Sequence, residues 1–191
     1  MYLRASIVIS IISLSAATAN ADTFNRIASF PTFLNNAEPT SESSAEIISS
    51  TADGMTLVYS DSPQGVIGLV DITDPANPTA KGNIAVGGEP TAVSIIGNTA
   101  FVSVNTSESY TAPSGKIKAF DLKSMSETSS CDLGGQPDST SSAPDGSFIA
   151  IAIENERDED LGDGRTGQLP GGFLVTVDVV DGSLDCGTVS V

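Results

Sequence analysis

One unit recurs three times along the chain and limits its fold more than any other feature. Each copy has a glycine turn, two apolar segments and a more polar fourth segment. The turn glycines Gly54, Gly97 and Gly146 lie 43 and 49 residues apart. A period of about 40–50 residues with about four short strands per copy is typical of a β-propeller, in which small sheets surround a channel. We therefore predict an all-β, partial β-propeller of about three four-stranded blades.

The repeats divide the chain into regions. Residues 1–21 read as a signal peptide and residues 22–43 as a polar N-terminal lead-in that either pairs onto the sheet or remains separate. The repeats occupy residues 44–191, with blades at about 44–88, 89–135 and 136–191. The composition, 39% hydrophobic with 18 glycines, agrees with an all-β chain that has an ordinary apolar core.

Three aspartates mark the expected end of the third strand in each blade. Asp71, Asp121 and Asp178 lie 50 and 57 residues apart. A carboxylate at the end of a strand can accept hydrogen bonds from the backbone of the next turn. Turn formation is therefore the expected role of these aspartates, rather than catalysis.

Closed propellers need about four to eight blades, whereas three copies are recognisable here. We therefore expect the sequence to be the N-terminal fragment of a longer propeller. In that case the outer faces of the two end blades would expose apolar surface to water.

Two segments resemble known bacterial proteins. The repeat around DITDPANP, residues 71–78, is similar to secreted propellers of the YVTN and LVIVD type and to the choice-of-anchor I proteins, which are often labelled alkaline-phosphatase-like. The stretch IAIENERDEDLGDGRTGQLPGGFLVTVDV, residues 151–179, resembles proteins labelled phytase-like with esterase activity. The resemblance implies a propeller fold and, as an expectation, hydrolysis of phosphate or carboxylic esters. Because propellers carry many functions, it is weaker evidence for chemistry than for fold.

The first 21 residues have the layout of a secretory leader. Arg4 precedes the apolar run ASIVISIISL, and small residues end at Ala19-Asn20-Ala21. The run is about half of the length that a membrane span needs. We expect cleavage, export to the periplasm or outside the cell, and no membrane span afterwards.

The chain is strongly acidic, with 24 Asp and Glu residues, eight Lys and Arg residues and a net charge of −16. This charge would repel nucleic acid and anionic lipid. Cations or small molecules are the expected partners. The alternative is that the excess of acidic residues only keeps the protein soluble. The oligomeric state does not follow from the sequence.

The two cysteines, Cys131 and Cys186, fall at near-equivalent outer-strand positions of adjacent blades. Outer strands of a propeller splay apart, and a disulfide requires Cα atoms within about 7 Å. We expect no bond between them, each cysteine being buried or paired outside this sequence.

The loop after the second strand lengthens from blade to blade. It has three residues between Asp61 and Gly65, nine between Asn105 and Gly115, and fifteen between Asn155 and Gly171. Strand alternation places these loops on the same face as the links GGEP (87–90) and GGQP (134–137), at the mouth of the channel. Long loops on a tight repeat often carry function.

The longest loop begins with ENERDEDLGDG, which is rich in carboxylates. Calcium takes six to eight oxygen ligands in irregular geometry, so the cluster indicates either a Ca²⁺ site or a solvated loop held by Arg157 or Arg165. The pattern does not match an EF-hand. The candidate ligands are Glu154, Glu156, Asp158, Asp160 and Asp163, with Glu89, Asp138 and Arg157 as possible contributors.

The chain has no histidine, which excludes a Ser-His-Asp triad, a His-bearing zinc site and a phosphohistidine nucleophile within it. Its catalytic residues, if it has any, are therefore unknown. Two hypotheses follow. One is a calcium-dependent, phytase-like hydrolase, in which metal ions hold phosphate oxygens and activate water and Arg157 adds positive charge. The other is a non-catalytic surface or binding propeller with an acidic recognition loop.

Overall fold

The computed structural model describes residues 25–163 and 166–191. These residues form three four-stranded antiparallel sheets, and the predicted all-β, partial propeller is confirmed. Blade 1 comprises β1 (Ala45–Ser50), β2 (Thr56–Asp61), β3 (Val66–Asp71) and β4 (Thr79–Ala85). Blade 2 comprises β5 (Glu89–Ile96), β6 (Thr99–Asn105), β7 (Gly115–Asp121) and β8 (Ser126–Asp132). Blade 3 comprises β9 (Pro137–Ser142), β10 (Phe148–Ile153), β11 (Phe173–Val180) and β12 (Ser183–Ser190).

Within each blade the strands lie in chain order. The first strands are adjacent, since β1 contacts β5 and β5 contacts β9. Between β5 and β9, the Ser94 hydroxyl lies 2.9 Å from that of Thr140. The first strands are therefore the inner strands, and the fourth strands form the outer edge.

Two hydrophobic clusters join the blades, and blade 2 contributes to both. Ala100, Val102 and Val104 of β6 pack with residues of blade 1. Phe101, between them in sequence, faces blade 3 and packs with Ile149. Because successive side chains of a strand point to opposite faces, a blade covered on both sides needs apolar residues at consecutive positions.

The lead-in crosses the outer face of blade 1. A short 3-10 helix, Thr32–Asn35, brings Asn35 into a nearly buried position. Its side-chain amide donates to the Tyr59 hydroxyl and to the Leu69 carbonyl, both at 3.0 Å, and accepts from the Gly82 amide at 3.0 Å. The lead-in therefore covers part of a face that we expected to be exposed to water.

The outer face of blade 3 remains open in the described structure. Leu174 is 72% exposed and Val180 57% exposed, and Phe148 is partly exposed beside them. Ile149 and Ile151, on the opposite face of the same sheet, are fully buried. Blade 3 is therefore packed on one side only.

Two of the three strand-end aspartates behave as predicted. Asp71 ends β3 and accepts from the Thr73 amide at 2.9 Å, while Asp121 ends β7 and accepts from the amides of Lys123 and Ser124. These hydrogen bonds lower the pKa of both carboxyls. The prediction for Asp178 is wrong, because β11 continues to Val180 and turns only at Asp181-Gly182.

The expectation of two separate cysteines is also wrong. Cys131 of β8 and Cys186 of β12 form a disulfide, with Cα atoms 5.3 Å apart. The two outer strands do not splay here, because β12 lies against β8. The Leu184 amide donates to the Ser129 hydroxyl at 3.0 Å, and the Leu184 side chain enters the cluster between blades 2 and 3.

The predicted leader, residues 1–21, lies outside the described residues. Among the residues that are described, no helix has the length and apolar character needed to cross a bilayer.

Candidate functional site

The inner strands of the three blades all begin at one face of the molecule, and each carries a carboxylate there. Glu46 is the second residue of β1, Glu89 the first of β5 and Asp138 the second of β9. Because the inner strands are neighbours around the axis, their first residues meet at the channel mouth. The repeat therefore gathers acidic side chains that are far apart in sequence.

The link GGQP fixes the end of β10 at this mouth. Gly134 has φ +74, which favours glycine, and a Cβ on Gly135 would lie 2.5 Å from Ile153 Cγ2 and 2.6 Å from Asn155 Oδ1. The first glycine thus makes the turn and the second allows close packing. Asn155 then accepts from the Gln136 amide at 2.9 Å.

Gln136 holds Glu156 from both sides. Its side chain, only 8% exposed, donates from Nε2 to Glu156 Oε2 at 3.0 Å and accepts at Oε1 from the Glu156 amide at 3.0 Å. The Glu154 amide donates to the Gln136 carbonyl at 3.0 Å. The start of the long loop is therefore attached to the neighbouring link.

These elements enclose a polar recess of about 260 Å³, which we call the acidic recess. Two of its carboxylates are held by neighbouring polar groups: Glu46 accepts from Ser62 Oγ and Glu89 from Asn105 Nδ2, both at 3.0 Å. Neither lysine nor arginine occurs among the described residues that line it. The lining residues are Glu46, Ser62, Glu89, Thr91, Gln136, Pro137, Asp138, Glu154 and Glu156.

The carboxylates of the acidic recess repel one another. Partial burial and the negative charges of Asp138 and Glu156 raise the pKa of the Glu154 carboxyl above its ordinary value. A group with this shift is harder to ionise in the folded protein than in the unfolded chain. A bound cation would relieve the repulsion, since it stabilises the ionised forms.

The structure separates the carboxylates that the sequence grouped together. Glu154, Glu156, Glu89 and Asp138 line the acidic recess. The other three acidic residues belong to the rest of the long loop, where Asp158 accepts from the Asp160 amide at 3.0 Å and Asp163 accepts from the Thr166 amide at 2.8 Å. Asp158 and Asp163 thus organise turns of the loop, whose fold is also held by hydrogen bonds between Gln168 and the Asp158 backbone.

Arg157 pairs within its own loop. Its Nη2 lies 3.7 Å from Glu159 Oε1, and its Nη1 is buried with no hydrogen-bond partner among the described residues. Arg157 is not among the residues that line the acidic recess. Arg165, the other cation that the sequence offered for this loop, lies outside the described residues.

Over residues 25–163 and 166–191, no group of three or more Asp, Glu, Cys or His side chains is close enough to hold one metal ion directly. The acidic recess thus differs from a preformed cage of carboxylates. Calcium accepts water and backbone oxygen among its ligands, so binding does not require three converging carboxylates. The arrangement can concentrate cations by charge and relieve its own repulsion when one binds.

Glu46 is the one carboxylate of the acidic recess that is absent from the candidates named from the sequence. The sequence feature that indicates Glu46 is its position, because it lies at the start of an inner strand, as Glu89 and Asp138 do. The two later residues were found through the links GGEP and GGQP, and no such link precedes blade 1. Aligning the starts of the inner strands would have identified it.

Residues 46–190 match the model of the choice-of-anchor I domain. The chain belongs to the choice-of-anchor I family. Membership of this family makes it a domain of an exported or cell-surface bacterial protein. A comparison with curated protein sequences gives no match.

Solved structures support the fold. Hydrazine synthase from Kuenenia stuttgartiensis superimposes with a TM-score of 0.55 at 19% identity, over 73% of this chain and 35% of that one. A candidate 6-phosphogluconolactonase from Bacteroides uniformis superimposes with a TM-score of 0.53 at 14% identity, over 75% of this chain and 40% of that one. This chain therefore spans well under half the length of either protein. At these identities the likeness concerns the fold alone.

Proposed function

We propose that this choice-of-anchor I domain is a non-catalytic binding propeller of the bacterial surface, and that its acidic recess binds cations, with Ca²⁺ as the expected ligand. One observation carries the proposal: five carboxylates from all three blades line one recess, without a basic residue among the described lining. The pKa of Glu154 supports it: partial burial and, after it, the negative charges of Asp138 and Glu156 raise this pKa, and a bound cation would offset the effect of those charges.

The expected affinity is modest. Extracellular calcium modules bind with dissociation constants of roughly 0.1–1 mM, and the exposed carboxylates of the acidic recess favour this range over tight binding. Exported proteins can use such sites because extracellular calcium reaches similar concentrations. The site would then be occupied outside the cell and stabilise the mouth of the propeller.

Calorimetric titration of the full chain with Ca²⁺ tests the proposal. The triple variant Glu89→Gln, Asp138→Asn, Glu154→Gln removes three charges from the acidic recess. The control variant Glu38→Gln, Glu42→Gln, Glu108→Gln removes three exposed charges that do not line it. We expect saturable binding by the wild type and the control, and affinity at least about tenfold weaker in the recess variant, a loss of about 1.4 kcal/mol.

Two results would contradict this proposal. If the wild-type chain shows no saturable calcium binding, the acidic recess is not a calcium site. An equal loss of affinity in both triple variants would show that total charge, rather than the acidic recess, attracts the ion.

Calcium-dependent hydrolysis remains the alternative proposal, because a cation held at the acidic recess could also bind phosphate oxygen. Without histidine in the chain, the general base would have to be a carboxylate or metal-bound water. Assays with p-nitrophenyl phosphate, phytate and short-chain esters, with Ca²⁺ or a chelator, separate the two proposals. If the wild type and the control variant hydrolyse one of these substrates and the recess variant does not, the hydrolase proposal replaces the proposal of a non-catalytic binding propeller.

A further inference from the structure

A second recess lies on the opposite face of the propeller, between blades 1 and 2. It has a volume of about 510 Å³, and Lys81 of blade 1 and Lys123 of blade 2 both line it; we call it the lysine recess. The turns after β1, β3, β5 and β7 form its walls. It shares no residue with the acidic recess.

The two lysines differ from Lys116 and Lys118 in their ion pairing. Lys116 and Lys118 form ion pairs with Asp132 and Glu127, at 2.6 and 3.1 Å. Among the described residues, neither Lys81 nor Lys123 has a carboxylate within 4.0 Å. Lys81 makes one hydrogen bond, to Thr56 Oγ1 at 3.2 Å, so both ammonium groups keep unused donors.

The aspartates of the lysine recess are engaged in turns. Asp53 accepts from Thr51 Oγ1 at 2.6 Å and from the Met55 amide at 3.0 Å, and Asp71 accepts from the Thr73 amide. Each carboxylate has more acceptor positions than these hydrogen bonds use, and both aspartates line the recess. The recess therefore presents ammonium donors and carboxylate acceptors to the same ligand.

This combination restricts the chemistry of the ligand. The two lysines would repel a simple cation, and the two aspartates would repel a simple anion. A molecule with one anionic group and several hydroxyl groups fits both, since the anion pairs with the lysines and the hydroxyls donate to the carboxylates. Met55 also lines the recess and is exposed, so it offers apolar surface on which the C–H face of a sugar ring can pack.

We propose that the lysine recess binds an anionic saccharide, with Lys81 and Lys123 at its carboxylate or sulfate group and Asp53, Asp71 and Asn98 at its hydroxyls. The volume lies within the range of about 300–1,000 Å³ that small-molecule sites occupy. The net charge of −16 does not forbid it, because charges beyond a Debye length of about 8 Å are screened at physiological ionic strength. A surface protein with this site would attach to acidic polysaccharide.

The test is an NMR titration of the ¹⁵N-labelled full chain with four probes: D-glucuronate, glucose 6-sulfate, glucose and acetate. We expect saturable shifts of the Thr73, Gly97 and Asn98 amides with glucuronate, glucose 6-sulfate or both, at a dissociation constant near about 1 mM. The stronger of the two identifies the anionic group. Glucose lacks the anion and acetate lacks the hydroxyls, so each should bind at least about tenfold more weakly.

Matched variants locate the site. Lys81→Gln with Lys123→Gln removes two charges from the lysine recess, and Lys116→Gln with Lys118→Gln removes two charges elsewhere. We expect the first pair to weaken binding at least about tenfold and the second to leave it within about twofold. Equal loss in both pairs, equal binding of acetate and glucuronate, or no saturation by either anionic sugar below about 10 mM would overturn the proposal. Calcium binding at the acidic recess is measured separately, so either proposal can fail alone.

Discussion

Gly135 shows how a single residue positions the candidate site. It lies beneath the end of β10, where Ile153 and Asn155 occupy the space that any side chain would need. Asn155 has φ +52 and is held by hydrogen bonds to the Gln136 amide and to the Gly171 carbonyl. The conformation at the start of the long loop therefore depends on position 135 having no side chain.

We expect Gly135→Ala to lower the free energy of unfolding by about 1–3 kcal/mol, because the new methyl group forces Ile153 and Asn155 to move. Gly171→Ala is the control, since no atom lies within 4 Å of the Cβ it would add and its φ is not positive. Urea denaturation of both variants measures the difference. Equal stability of the two would show that the close packing at Gly135 is unimportant.

At the scale of elements, the outer strand β12 joins blade 3 to blade 2. It does so through the Cys131–Cys186 disulfide, through the Leu184 side chain in the core and through the hydrogen bond to Ser129. The disulfide closes a long loop, with a sequence separation of 55. A cross-link of this length restricts the unfolded chain considerably.

Reduction of this disulfide is expected to lower the free energy of unfolding by about 2–4 kcal/mol. Urea denaturation with and without a thiol reductant measures the effect. The variant Cys131→Ala with Cys186→Ala should unfold like the reduced wild type and should not respond to the reductant. If the oxidised and reduced wild-type proteins unfold at the same urea concentration, β12 is held by its packing alone.

Local sequence patterns predicted the strands well, but they predicted poorly which strands of different blades lie close together. Glycine turns and alternating apolar segments indicated four strands per blade, because these signals depend on neighbouring residues. The pairing of Cys131 with Cys186 depends on how closely β12 approaches β8, and no local sequence pattern predicts the distance between strands of different blades. Asp178 matched Asp71 and Asp121 in sequence, yet β11 extends two residues further.

The same limit applies to the acidic recess. The sequence placed GGEP, GGQP and the long loop on one face, and it named Glu154, Glu156, Glu89 and Asp138, which line the acidic recess. It also included Asp158 and Asp163, which hold turns within the loop, because charge density in sequence does not show where side chains point. Glu46 belongs to another blade, and the side-by-side arrangement of the inner strands brings it to the site.

At the scale of the whole molecule, the two faces of the propeller differ in charge. The acidic recess gathers five carboxylates at the channel mouth, whereas the lysine recess on the opposite face combines two lysines with two aspartates. Three blades packed through two hydrophobic clusters keep these faces apart. We propose above all that the acidic recess takes up a cation.

The most direct test is an NMR measurement of the pKa of the Glu154 side-chain carboxyl, without and with saturating Ca²⁺. Without calcium we expect the pKa to lie above its ordinary value, so that ionised Glu154 opposes folding and its cost to stability grows as the pH rises from the unfolded pKa through the folded pKa. Calcium favours the ionised carboxylate, so we expect the pKa of Glu154 to fall when Ca²⁺ binds. A pKa of Glu154 that stays the same at about 10 mM Ca²⁺, roughly ten times the weakest expected dissociation constant, would contradict it.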